Sequence, residues 1–371
     1  MRICHFSDSH LGAGESHPVR NDAGLTLRQQ DVVDSFIESI DKVIALKPDL
    51  CLHTGDLFHS VRPMNRIMAL AAEPLHRLAA EANIPTVVIT GNHDAPRQPH
   101  LGAAVDVFRQ IPGLNIASRY RAETFAFSQC HVTALPHCLT PDLLMSELAK
   151  CAPEPSFKFN ILMLHGVAAG MPQFAMADLG EQEFPIELLE LFEYAALGHY
   201  HNSCPVTDRA WYAGSTERLS QAERESSKGF LEVSLEPFSV TFHEVHSREM
   251  VDLTIRHLAG ERGDTLVKRI QTQLEEIESS GKIVRVKVQG STSELLKTIP
   301  SEELSVLKSS TFSLDIRFEK DAESGGSPEF GPTSIGRLDQ AFLDYLDTVT
   351  LDGLDRDRLV QTARKYLTSE E

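Results

Sequence analysis

The chain has 371 residues, 42% of them hydrophobic and 24% charged, with a formal net charge of −18. That length holds two or three domains with apolar material for a sizeable core, and it contains no run of about 18 apolar residues able to span a membrane. The acidic balance excludes a simple basic nucleic-acid-binding module, because neutralising phosphates takes Lys and Arg. It does not exclude an enzyme that meets phosphates through cations held by its own carboxylates.

Met1-Arg2-Ile3-Cys4-His5-Phe6 leads directly into a strand-like run with no apolar h-region or cleavage site, so no signal peptide is expected. Five short apolar runs follow one pattern, each ending in a cluster of Asp, Asn or His. Ile3–Phe6 precedes Ser7-Asp8-Ser9-His10, Leu50–Leu52 precedes Gly55-Asp56, and Thr86–Ile89 precedes Gly91-Asn92-His93-Asp94. Ile161–Leu164 leads into His165-Gly166, and Tyr194–Leu197 into Gly198-His199-Tyr200-His201. Such runs read as buried strands. Between the first three, Val32, Val33, Phe36, Ile37, Ile40, Val43 and Ile44 keep a helical period, as do Ile67, Leu70, Leu75 and Leu78. Strand alternating with helix implies an α/β fold, in which functional groups gather beyond the carboxyl ends of the strands.

Thr124–Glu244 is richer in strand signals, among them Val132–Leu135, Phe230–Val233 and Val240–Phe242, and predicts a second sheet. From about Arg248 the order is strand Val251–Ile255, helix Thr265–Ile277, strand Ile283–Val288, helix Leu295–Leu307 and strand Phe312–Phe318, a small α/β unit of its own. Asp321–Gly331, with Gly325-Gly326-Ser327-Pro328, reads as a flexible linker. Leu338, Phe342, Tyr345 and Leu346, then Leu359, Ala363, Tyr366 and Leu367, stand at helical spacing beyond it. The expected domains are therefore 1–246, 247–320, a linker 321–335 and a helical segment 336–371. Cys4, Cys51, Cys130, Cys138, Cys151 and Cys204 form no C-x-x-C pair and are expected to be free thiols of a reducing, cytoplasmic setting.

The polar clusters carry the chemistry. Asp8 and His10, two residues apart at a strand end, share a face and suit one metal ion. Asp56 follows a glycine, where a tight turn lets its carboxylate bridge two ions. Asn92 adds a neutral oxygen, and His165, His199 and His201 add imidazoles. This mixture suits Mn²⁺, iron or Zn²⁺ better than an all-oxygen Mg²⁺ site. Two ions ~3.5–4 Å apart stabilise both the attacking and the leaving oxygen of an in-line phosphoryl displacement. Each motif alone is common; the ordered set of D-x-H, G-D, G-N-H-D, H-G and G-H-x-H is not.

That set resembles the calcineurin-like metallophosphoesterases. Ser7-Asp8-Ser9-His10-Leu11-Gly12, Gly55-Asp56-Leu57-Phe58-His59, Tyr212-Ala213-Gly214-Ser215-Thr216-Glu217-Arg218 and Lys228-Gly229-Phe230 are similar to the SbcD and meiotic recombination eleven nucleases, over roughly residues 1–245. The resemblance implies a two-sheet sandwich flanked by helices, a small α/β capping domain that positions DNA, and C-terminal helices that bind the coiled-coil base of an SbcC-type ATPase. It implies two Mn²⁺ per subunit, with iron, zinc or magnesium as alternatives. Asp8, His10, Asp56 and His201 would hold one ion, and Asp56, Asn92, His165 and His199 the other. His93 would stabilise the transition state or protonate the leaving oxygen, with Asp94 orienting its ring. Helices around Asn65–Leu78 and Gly102–Phe108 match the family's homodimer contact.

Beside the resemblance, His59 reads equally as a substrate contact or a structural residue. Arg62 and Arg97, with Arg66, flank the site loops as candidate phosphate contacts, and Lys282, Arg285 and Lys287 alternate along one strand as a candidate basic strip. The implied activity is DNA exonuclease and endonuclease cleavage of double-stranded ends and hairpins in double-strand-break repair. The alternatives are a phosphodiesterase or phosphatase acting on a small molecule or phosphoprotein, and an inactive DNA-binding scaffold.

Overall fold

Alternating burial organises the first strand: Ile3 faces one way, Cys4 and Phe6 the other. In a strand, successive side chains point to opposite faces, so a run buried on both sides must lie between two layers. The computed structural model, which describes residues 1–170 and 182–320, shows these layers. One six-stranded sheet has the spatial order Phe238–Glu244, Gly229–Leu235, Arg2–Phe6, Leu50–His53, Thr86–Ile89, Leu114–Ala117. Its last four strands are parallel, with Cys4 beside Cys51 and Cys51 beside Thr86. A second six-stranded sheet runs Cys204–Thr207, Ala210–Tyr212, Tyr194–Gly198, Phe159–His165, Cys130–Leu135, Glu123–Phe127.

The two sheets pack face to face. Ile3, Leu50, Leu52, Val87 and Ile89 from the first share one core with Val132, Ile161, Met163, Tyr194 and Ala196 from the second. The outer face of the first sheet is covered by the helices Leu27–Leu46 and Asn65–His76 through Val32, Phe36, Ile40, Ile67 and Leu75. The first helix starts at a capping box, Thr26 accepting from the Gln29 amide while the Gln29 side chain accepts from the Thr26 amide. The fold is thus the α/β two-sheet sandwich flanked by helices.

One expectation is corrected. Phe230–Val233 and Val240–Phe242 do not belong to the second sheet. They form a hairpin that joins the first sheet antiparallel to Arg2–Phe6, with Val233 opposite Ile3. Their apolar pattern satisfies either sheet; only the pairing partner decides, and that is a long-range choice.

Residues 250–319 build a third sheet, all parallel, in the order Met250–Arg256, Ile283–Gln289, Ser313–Glu319. It packs on the helix Gly263–Glu276 through its own apolar cluster, in which Val284, Val286 and Val288 meet Leu266, Ile270 and Leu274. The single helix expected over Leu295–Leu307 is two, Ser293–Lys297 and Ser301–Ser309. Pro300 separates them, since the residue before a proline is biased out of helical geometry. Met1–Glu319 is one compact unit. The expected linker 321–335 and helical segment 336–371 lie outside the described residues. All six cysteines are free, five of them buried. Among the described residues, no helix is long and apolar enough to cross a membrane.

Candidate metal centre

The chain turns sharply where each functional strand ends. Asp8, His10, Asp56 and His199 all have left-handed backbone, with φ of 51, 45, 53 and 103°. A non-glycine residue held there costs about 1–3 kcal/mol, and such strain persists only when the surroundings enforce it. Here the loops after Arg2–Phe6 and Leu50–His53 zip together by backbone hydrogen bonds. The amides of Asp8, His10 and Leu11 donate to the carbonyls of Gly55, Asp56 and Leu57 at 3.0, 2.9 and 2.9 Å. The His199 amide donates to both oxygens of Asp8, which ties the second sheet's loop to the first.

The result is a crowd of lone pairs. His10 Nε2 is 3.1 Å from His201 Nε2, 3.6 Å from Asp56 Oδ2 and 4.0 Å from Asp8 Oδ1. On the other side His165 Nε2 lies 3.4 Å from the same Asp56 oxygen and 2.9 Å from Asn92 Oδ1, which is 3.1 Å from His199 Nδ1. Asp8, His10 and His201 form one group able to hold a cation; Asp8, Asp56 and His165 form a second. Asp8 belongs to both groups, and Asp56, whose Oδ2 faces both His10 and His165, also accepts from the His93 amide through Oδ1 at 2.8 Å.

Space for this crowd comes from glycine. A Cβ on Gly91 would lie 2.2 Å from Asp56 Oδ1 and 2.6 Å from His165 Nε2, and one on Gly55 would lie 2.4 Å from His165 Nδ1. Gly55 also has φ +100°, which a side chain resists.

The ring nitrogens are assigned by their outer partners. His165 Nδ1 is 2.8 Å from the Thr54 carbonyl, which only accepts, so Nδ1 carries the hydrogen and Nε2 turns a lone pair inward. His201 Nδ1 is 3.2 Å from Glu223 Oε1 in the same arrangement. Burial pushes His10 well below the ordinary imidazole range, so its ring is neutral. Burial would raise Asp56, but His165 beside it holds its carboxyl well below the usual range. Ring nitrogens, an amide oxygen and carboxylate oxygens crowd together where positive charge is favoured: against burial, the Asp56 carboxylate holds His165 up to about 9. The donor set therefore fits divalent metal ions with mixed nitrogen and oxygen ligands.

His93 sits at the rim. Its ring crosses that of His10 edge to face at 4.8 Å and stacks on His59 at 5.3 Å. Its Nδ1 is 3.2 Å from the His59 carbonyl. Here the structure corrects an expectation: Asp94 does not orient the His93 ring. Its carboxylate is fully buried and engaged by three backbone amides, those of Gly91, Leu57 and Phe58. A buried carboxylate between two loops must satisfy its lone pairs nearby, and those amides come first. Asp94 clamps the loop that carries Asn92 and His93 to the loop that carries Asp56.

His59 Nδ1 is 3.3 Å from His10 Nδ1, and the residue lines a cleft of about 340 Å³ with Arg62, Gln29 and Glu15. Arg62 and Arg97 meet in another cleft, of about 740 Å³, with Met68, Leu101 and Val107. Arg97 thus shares a cleft with Arg62, whereas none of Asp8, His10, Asp56, Asn92, His165, His199 and His201 lines it. The expected basic strip is not a free one. Arg285 and Lys287 both pair with Asp252, and Lys282 pairs with Glu249.

Sequence reasoning assigned no role to Thr54, Glu223 or Lys228. Lys228 stands in a Lys-Gly-Phe run, and nothing in that run signals that its ammonium is buried. His5 and His53 are also fully buried. His5 bridges the Tyr194 hydroxyl at 2.8 Å and the Thr54 hydroxyl at 3.0 Å, and His53 meets Ser9 at 3.1 Å.

Comparison with known proteins agrees with this geometry. The family model described as calcineurin-like phosphoesterase matches residues 1–219. The "DNA double-strand break repair protein Mre11" of Methanococcus maripaludis is 29% identical over 271 residues, covering 69% of this chain and 68% of its own length. The protein of the same name from Methanocaldococcus jannaschii is 28% identical over 275 residues, 69% of this chain and 70% of its own. That of Sulfolobus acidocaldarius is 31% identical over 211 residues, 54% of this chain and 50% of its own.

Proposed function

We propose that this chain, which belongs to the calcineurin-like phosphoesterases, is a metal-dependent nuclease that hydrolyses DNA phosphodiester bonds in double-strand-break repair. The observation that carries the reading is Asp56 Oδ2 lying between His10 Nε2 at 3.6 Å and His165 Nε2 at 3.4 Å, a carboxylate between two donor clusters. The relatives' printed name supplies the repair context.

In this reading Asp8, His10, Asp56 and His201 hold one ion and Asp56, Asn92, His165 and His199 the other, with manganese as the metal. Two bound ions would supply a nucleophile at neutral pH and charge for the developing phosphorane oxygens. The protein's own groups do the rest. Thr54 and Glu223 keep His165 and His201 in the ligating tautomer. The His59 carbonyl takes the Nδ1 hydrogen of His93, which leaves Nε2 to deliver a proton to the leaving oxygen. His59, stacked on His93, and Arg62 in the adjoining cleft face the flanking phosphates. Asp94 acts on the loop that positions His93.

The proposal extends to the whole chain: a nuclease domain over 1–246, a DNA-positioning cap over 247–320, a linker over 321–335, and a segment over 336–371 that binds an SbcC-type coiled-coil ATPase. The protein would work as a homodimer in the cytoplasm and cut duplex ends and hairpins by exonuclease and endonuclease steps. Because the cap cations pair with Asp252 and Glu249, DNA contact there would require those pairs to open.

The test is release of nucleotides from end-labelled linear duplex DNA with Mn²⁺, Mg²⁺ or chelator, for the native protein, His93→Ala and Asp56→Ala. Mn²⁺-dependent cutting that both substitutions abolish is the expected result. A native protein that hydrolyses a chromogenic phosphodiester but leaves DNA intact, with or without the ATPase partner, would instead support a small-molecule phosphoesterase. A protein inert toward both substrates would be a scaffold.

A further inference from the structure

Lys228 is an unusual residue to find inside this protein. Its side chain is fully buried, and an ammonium taken out of water costs several kcal/mol unless it is paired and hydrogen-bonded. All three of its hydrogens find partners: Glu223 Oε2 at 2.6 Å, the His201 carbonyl at 2.9 Å and Ser215 Oγ at 3.0 Å. The other carboxylate oxygen of Glu223 is 3.2 Å from His201 Nδ1 and accepts from Ser220 Oγ at 3.0 Å. The Leu219 amide adds a contact of 3.3 Å to Oε2.

We infer that Glu223, backed by Lys228, is a positioning residue for the metal centre. It holds His201 in the one tautomer that turns Nε2 toward Asp8 and His10. The inference rests on the metal-centre reading above. A carboxylate paired to an ammonium only accepts, so the hydrogen of His201 stays on Nδ1 and the Nε2 lone pair faces His10 Nε2 at 3.1 Å. Lys228 grips His201 twice, through Glu223 on the ring side and through the carbonyl on the main-chain side. A ring flip would break the contact to Glu223, and a shift of the loop the contact to Lys228.

His201 differs in this from His165. The partner of His165 is a backbone carbonyl at a strand end, fixed by the sheet itself. The partner of His201 lies on a short helical turn, Gln221–Glu223, with no sheet to hold it. That turn is fastened from elsewhere, since the Gln221 side chain donates to the Val251 carbonyl, on the first strand of the third sheet, at 2.9 Å. A charged acceptor also makes an imidazole a more basic ligand, and loss of such an outer partner typically weakens metal binding 10–100-fold.

The experiment is Mn²⁺ titration of the full-length protein by calorimetry, alongside thermal melting, for native, Glu223→Gln and Glu223→Asp. Glu223→Gln keeps the shape and removes the charge. Glu223→Asp keeps Lys228 paired and withdraws the oxygen from His201. Both are expected to bind one Mn²⁺ as the native protein does and the second about 10–100-fold more weakly. In chromogenic phosphodiester hydrolysis, kcat should fall at limiting Mn²⁺ and recover at high Mn²⁺, with KM unchanged. A carboxylate that only stabilised the fold would lower the melting temperature and weaken both ions alike, or neither. If either folded variant binds both ions with native affinity, the inference is overturned. If the native protein itself binds no Mn²⁺, the centre as read here fails first, and the two failures are distinguishable.

Discussion

Replacing Gly91 with alanine adds one methyl group at the most crowded point of the centre. That carbon would stand 2.2 Å from Asp56 Oδ1, 2.5 Å from His165 Cε1 and 2.6 Å from His165 Nε2. Ordinary contacts lie near 3.5 Å, so the Asp56 carboxylate and the His165 ring must each retreat by about 1 Å. Neither is a free end. Asp56 accepts from the His93 amide, and His165 is held at Nδ1 by Thr54. A displacement of about 1 Å in a catalytic constellation costs on the order of 100-fold in rate, or about 2.7 kcal/mol of transition-state stabilisation. Overpacking adds about 1–3 kcal/mol of lost stability. The assay is Mn²⁺-dependent hydrolysis of a chromogenic phosphodiester, with Mn²⁺ affinity by calorimetry and a thermal melt. Gly260→Ala, in open space at φ +76°, is the control and should cost only about 1 kcal/mol of backbone strain with full activity. Native activity and Mn²⁺ affinity in a folded Gly91→Ala protein would refute the reasoning, because it would mean that the donor groups are not held where the geometry puts them.

Further expectations separate structure from chemistry. Asp94→Ala removes the acceptor of three buried amides and should cost about 3 kcal/mol in a denaturant or thermal melt, whereas His93→Ala should melt like the native protein and lose hydrolysis; equal melting of the two would contradict the loop-clamp role of Asp94. His5 is held down to about 3 from its ordinary 6.5, first by burial and then by the neighbouring His53. The unfolded chain takes up that proton before the folded one does, so this contribution is complete above pH 6.5 and is lost as pH falls toward 3, by at most on the order of 5 kcal/mol. His5→Gln should flatten the acid side of the stability profile, and an unchanged profile would count against it. Arg248 donates to Asp31 at 2.6 and 2.5 Å and lies 3.6 Å over the Phe312 ring, fastening the third sheet to the helix Leu27–Leu46. Arg248→Ala should lower stability by about 2 kcal/mol and expose residues 250–319 to proteolysis, and Arg248→Lys should not restore it, because an ammonium lacks the planar fork.

Much of the molecule was legible in the chain. The apolar runs before each polar cluster are short and bounded by glycine, so they had to be buried strands, and groups at their carboxyl ends had to gather on one edge. Asp8, His10, Asp56, Asn92, His165, His199 and His201 do gather there, because the strands Arg2–Phe6, Leu50–His53 and Thr86–Ile89 are parallel neighbours, as are Phe159–His165 and Tyr194–Gly198. The division of the helix before Phe312 needed only notice of Pro300.

The tertiary structure alone decided what depends on partners distant in the chain. The hairpin of Gly229–Leu235 and Phe238–Glu244 has a pattern that suits either sheet, and it pairs with the first because Arg2–Phe6 leaves an edge for it. Asp94 stands next to His93 in sequence, yet its carboxyl group goes to the loop of residues 57–58, since buried carboxyl oxygens take the unpaired amides within reach rather than the neighbour's ring. Lys282, Arg285 and Lys287 read as free cations until Asp252 on the adjacent strand and Glu249 just before it appear beside them. Periodicity and motif order record what a residue does along its own element; hydrogen bonds and ion pairs are settled by which elements come together.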